Sequence, residues 1–262
     1  MGHQRLGTLP AHRKLPEIVR FLLDGGLPTA DLVDAVTDVG QDALTRAAKD
    51  PVFIEALWLL ARLPQAAGAE SAAEELAELG FKAPLPKSIP EVLVAFDHAL
   101  ERVHRRFPST GTDLGEHAHQ AALSALAETL QPRQPDLWQP IIDKSRDHLA
   151  SLRKTVVFAE LAQRFYARLV ERVIHYYLDR DLHRMIGPER VTKSLHDLDA
   201  FNAAIRRHCD EASFIMRGFA RDWLGKNRYR DGKILTRDDL KNFASYASEK
   251  LRRELGKRKG MP

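Results

Sequence analysis

Residues 141–186 contain neither proline nor glycine, a run of 46 residues bounded by Pro140 and Gly187. Nothing in that run forces a helix to break. Projected at about 100° per residue, Phe158, Phe165, Tyr166, Leu169, Val170, Val173, Ile174, Tyr176 and Tyr177 cover about half the circumference. Glu160, Arg164, Arg168, Glu171, Arg172, His175 and Asp179 form a narrow polar stripe opposite, interrupted only by Leu161. A surface helix needs a smaller apolar sector. The pattern therefore predicts a central helix over 154–186 with neighbours on most sides, ended by Gly187-Pro188.

The rest of the chain is compatible with helices alone. Period-2 alternation of β-branched residues is absent, and good helix formers are plentiful. The expected fold is all-α: an irregular multi-helix bundle in which short N-terminal helices precede a lobe of long antiparallel helices around 154–186. Cys209 is the single cysteine, so neither an intramolecular disulfide nor a cysteine-based zinc site can form. No apolar run approaches the length of a membrane span, and the N-terminus lacks a signal-peptide core. The expected setting is cytoplasmic, with no membrane partner.

Charge divides the chain. Residues 1–145 hold 14 Lys/Arg and 20 Asp/Glu, a balance of −6, whereas residues 146–262 hold 26 and 16, a balance of +10. Three units follow: a basic arm at 1–14, an acidic helical lobe at 15–132 and a basic helical lobe at 133–262. The boundary falls in QPRQPDLWQP, with three prolines. Asp50-Pro51 and Ser88 open helices in the acidic lobe, the first running through Leu63. In the basic lobe, Ser194/Asp197 and Thr236/Asp239 are capping boxes. The first opens a helix whose seam reads Leu198, Phe201, Ile205, Cys209, Ala212, Ile215, Phe219 and Trp223, expected to pack on the central helix.

Few motifs carry chemistry. There is no phosphate-binding glycine loop, no His-Glu-x-x-His and no Gly-x-Ser-x-Gly. The segment Asn227–Asp238 resembles a calcium loop in its Gly232, but Tyr229 stands where an oxygen ligand is needed and Asp238 where a bidentate Glu belongs. Glu116, His117 and His119 are too close together to converge from one helix, since i and i+2 point apart, and Asp179, Asp181 and His183 fail likewise. Both sets read as solvated faces, so no metal or other cofactor is expected. Arg5/His12, Arg168/His175 and Arg190/His196 resemble the Arg-x(4–6)-His pattern of HEPN-type helical ribonucleases. With 27 arginines and 11 histidines such spacings recur by chance. Arg190 and His196, spanning a loop into a helix start, are the weak catalytic candidates this resemblance offers.

Binding is what remains. Arg164, Arg168 and Arg172 occupy successive turns of the central helix, Arg206 and Arg207 follow, and Arg252, Arg253, Arg258 and Lys259 crowd the C-terminus. Arginine outnumbers lysine two to one, which suits bidentate pairing with phosphate or carboxylate. The sequence thus points to a non-enzymatic helical interaction or adaptor protein, an accessory subunit of a larger bacterial-type assembly with a protein partner. The alternatives are a nucleic-acid-binding accessory protein using the basic lobe, and the helical ribonuclease. The stripe at 164–172 must be covered or solvated, and carboxylates are the expected cover, either from the acidic lobe or from a partner subunit.

Overall fold

The computed structural model describes residues 44, 46, 49–82, 86–106, 113–131, 149–182, 195–229 and 234–258, with backbone alone at some helical positions. Among these residues there are eight helices and no strand: α1 (Pro51–Ala67), α2 (Ala72–Glu78), α3 (Ile89–Arg106), α4 (Asp113–Leu130), α5 (Thr155–Leu182), α6 (Leu195–Ala212), α7 (Ile215–Tyr229) and α8 (Arg237–Arg258). The all-α bundle is as expected. The 1–14 arm, the 131–140 boundary beyond Gln131, the Ser194 cap and residues 230–233 lie outside the described residues.

Local chemistry explains the helix starts. Asp50 Oδ1 accepts from the backbone N–H groups of Val52 and Phe53 at 2.8 and 3.0 Å, capping α1 ahead of Pro51. Thr236 and Asp239 exchange bonds as a capping box, Thr236 N–H to Asp239 Oδ2 at 2.9 Å and Asp239 N–H to Thr236 Oγ1 at 3.2 Å. Glu91 and Ser88 do the same work for α3.

Helix α5 is central. At about 1.5 Å per residue its 28 residues span roughly 42 Å. It lies against α4, α6 and α7, and Phe165 and Tyr166 meet Phe53 of α1 at 5.6 and 6.2 Å between ring centroids. From Phe158 to Ile174 every apolar side chain is buried, including Leu161, which the helical projection had set on the polar side. One continuous buried cluster runs from Leu44 to Leu251. The start of α8 is tied to α1 by Trp58 Nε1, which donates to the Leu235 carbonyl at 3.1 Å, and by Arg237, which pairs with Glu55 and lies over the Trp58 ring at 3.7 Å.

Two expectations need correction. Helix α1 does not stop at Leu63 but carries Pro64 inside its last turn, where losing one N–H removes a single bond. The seam from Leu198 to Trp223 is not one helix. It breaks at Ser213–Phe214, where Phe214 N–H reaches Glu211 and Met216 N–H reaches Ser213, each an i to i−3 bond. The turn shifts the register by one residue: α7 fully buries Met216, Ala220 and Leu224, while Ile215, Phe219 and Trp223 pack at the margin. Both pieces lie on α5, and the bend is what lets them.

Candidate functional site: two polar clusters on one helix

Helix α4 carries a polar cluster at each end. At its C-terminal end, Glu128 accepts from Arg168 Nε at 2.8 Å and from Arg206 Nη2 at 3.2 Å. Arg168 also pairs with Glu171, and its Nη2 bonds Asp210 Oδ1 at 3.0 Å, so all three of its nitrogens are engaged. Burial alone would lower the pKa of Arg168. Hydrogen bonds to Glu128 and Glu171 more than reverse this, so the guanidinium is held above its ordinary value. Arg164 Nη1 donates to the Glu128 carbonyl at 2.6 Å and to Thr129 Oγ1 at 2.9 Å, satisfying a carbonyl in the last turn of α4. Arg172 Nη2 reaches Ser124 Oγ at 3.0 Å, while its Nε is buried without a hydrogen-bond partner.

The stripe is therefore covered from inside the molecule, in part by carboxylates. Cys209 lies beside it, and burial, with Glu171 and Asp210 nearby, pushes its thiol well up. That removes thiolate chemistry at neutral pH.

The N-terminal end of α4 is different. Glu116 and His119, three residues apart, share a face and meet His104 from the last turn of α3. One ligand atom from each of the three lies within 4.8 Å of the others. His119, only 2% exposed, bonds Asp97 Oδ1 through Nε2 at 2.8 Å. His104 Nε2 is 3.7 Å from Glu116 Oε2, too long for a hydrogen bond. The rings of His104 and His119 stack with centroids 5.5 Å apart. On the adjoining face His117 packs edge-on to Tyr176, whose hydroxyl donates to Asp113 Oδ2 at 2.9 Å.

Three ring nitrogens in this region, His104 Nε2, His117 Nε2 and His119 Nδ1, are buried without a hydrogen-bond partner among the described residues. Burial lowers the pKa of His104, against the opposing pull of Glu116, and burial likewise lowers His117 against Asp113. Neutral imidazoles with free lone pairs are ligands and proton acceptors.

The sequence-derived candidates separate accordingly. Arg164, Arg168, Arg172 and Arg206 are brought together on α4. Arg207 and Arg252 are exposed, and Arg253 pairs with Glu249 one turn back on α8. Arg190 and Lys259 lie outside the described residues, and only the backbone of His196 and Arg258 is described. Of the Arg168/His175 pair, the arginine is buried among three carboxylates. The reading of Glu116 and His119 as a solvated face holds for Glu116, which is exposed, and fails for His119, which is buried. His117 does point elsewhere, but i and i+3 share a helix face, and the third member comes from the preceding helix. The Glu-x-x-His spacing was the available signal.

A groove of about 660 Å³ lies along the outward face of α3, where Val94 is exposed between His98 and Pro90. No described helix is long and apolar enough to cross a membrane. No family model matches the chain, and no curated protein or solved structure matches it either.

Proposed function

We propose that the protein is a non-enzymatic helical interaction protein, an adaptor or accessory subunit of a larger bacterial-type assembly, and that its partner is another protein. One observation carries the reading. The arginines of the central helix are committed to Glu128, Glu171, Asp210, Ser124 and Thr129 within the fold. Arg168, whose three nitrogens are all bonded, cannot also grip a phosphate, and Arg164 and Arg172 are each partly engaged inside the fold. Two surface features agree with a protein partner. The large apolar side chains of Val94, Val156, Phe214, Ile234 and Tyr246 are exposed. The exposed cations of α7 and α8 alternate with acids, as in Arg221/Asp222 and Arg253/Glu249.

Purification from the native host at physiological salt should yield a stoichiometric protein complex, while the isolated chain should not be retained on DNA or RNA. The opposite result would be submicromolar, sequence-independent binding that weakens steeply with salt. If it were also lost when Arg252, Arg253, Arg258 and Lys259 become glutamate, a nucleic-acid role would replace this one.

A further inference from the structure

We propose that His104, Glu116 and His119 bind one divalent transition-metal ion of the zinc class, pinning the end of α3 to the start of α4. The residue types are right for such an ion. Two imidazoles and one carboxylate form a nitrogen–oxygen set that suits zinc, whereas calcium and magnesium prefer oxygens alone.

The geometry is close to what coordination requires. Ligand atoms on a tetrahedral ion at about 2.1 Å stand roughly 3.4 Å apart, and two imidazoles on it place their ring centroids about 5 Å apart. Here His104 Nε2 and Glu116 Oε2 are separated by 3.7 Å, the two rings by 5.5 Å, and no pair in the set exceeds 4.8 Å. Glu116 is the piece able to close the remaining gap. Its side chain is 56% exposed, and Gln120 Nε2 donates to its Oε1 at 3.1 Å.

Two buried groups point independently to a ligand. His119 is nearly inaccessible, and its Nδ1 has no hydrogen-bond partner. Asp97 accepts from Nε2, so in the neutral ring the proton sits there and Nδ1 carries the lone pair. A carboxylate behind a histidine is how metal-bound imidazoles are oriented and made more basic. His104 Nε2 is likewise buried and unbonded. Stacking of the two rings accounts for their contact but leaves both nitrogens unsatisfied, which an ion would remedy. With three protein ligands, water completes the fourth position on the side where Glu116 meets solvent.

The test uses the full chain, stripped with a chelator and titrated with zinc, and with cobalt(II) as a spectroscopic probe. The expected result is one equivalent bound, a four-coordinate cobalt absorption and a rise in melting temperature. Glu116→Gln, at an exposed position that should not disturb folding, and His104→Gln should each weaken binding by more than the roughly 10–100-fold that loss of a carboxylate behind a metal-bound histidine costs. Asp97→Asn should fall within that roughly 10–100-fold range, and His98→Gln, on the outward face of α3, should change nothing. A wild-type chain that binds no ion overturns the proposal. So does an ion whose affinity and spectrum survive both Glu116→Gln and His104→Gln, because it is then held elsewhere.

Discussion

The two ends of α4 use ionisable residues in opposite ways. At the C-terminal end Arg168 is buried, yet each of its nitrogens meets a carboxylate. At the N-terminal end three histidine nitrogens are buried with no hydrogen-bond partner. A satisfied buried ion network holds its surroundings in one arrangement, whereas an unsatisfied buried polar atom costs about 1–3 kcal/mol and calls for a reason to exist. The arginines of α5 are engaged within the fold. The quieter histidines are where ligand chemistry remains open.

Three experiments can break or sharpen that contrast. The largest effect is expected where both clusters share a support. Leu169, on the helix that carries the arginines, is 1% exposed, and Leu169→Asp would bury an unpaired charge beside them. It should cost about 4 kcal/mol or more and abolish cooperative unfolding. A soluble variant with wild-type helicity by circular dichroism would mean that α5 is not the centre of the fold.

Next comes Arg168→Ala. It leaves Glu171 and Asp210 without their shared cation and Glu128 with Arg206 alone. Breaking a fully buried pair costs about 3–5 kcal/mol. Because Asp210 is 41% exposed and water screens it, about 2–3 kcal/mol is expected from urea denaturation. A loss near zero would place the arginine network on a par with ordinary surface pairs.

Acid should produce the smallest change, at the other end of the helix. The folded pKa values of His104 and His117 lie below 6.5, so the unfolded chain binds protons more readily than the folded one. Their contribution to stability is complete above about pH 6.5 and is lost as pH falls through that value towards the folded pKa. In the apo protein the urea midpoint should therefore drop between about pH 7.5 and pH 5. His117→Gln should flatten that slope. An unchanged slope would show that the ring is not buried neutral.

Some of this was decided by the sequence alone. The run without Pro or Gly, the wide apolar sector from Phe158 to Ile174 and the caps at Asp50 and Thr236 are local signals, and helices form where they say. That the 164–172 stripe must be covered or solvated was also legible, because three arginines stand on successive turns of a helix with a wide apolar sector. Which groups would cover it was not. Glu128, Thr129 and Ser124 reach the stripe only because α4 lies along α5, a contact spanning 35 or more residues of sequence. Tertiary contacts also placed the bend at Ser213–Phe214, where no glycine or proline announces a break, and so moved the buried register of α7 to Met216, Ala220 and Leu224. The histidine cluster shows the division most plainly. Helical spacing puts Glu116 and His119 on one face, but only the docking of α3 against α4 brings His104 and Asp97 to them, because periodicity reports which residues share a helix face and carries no information about what that face will meet.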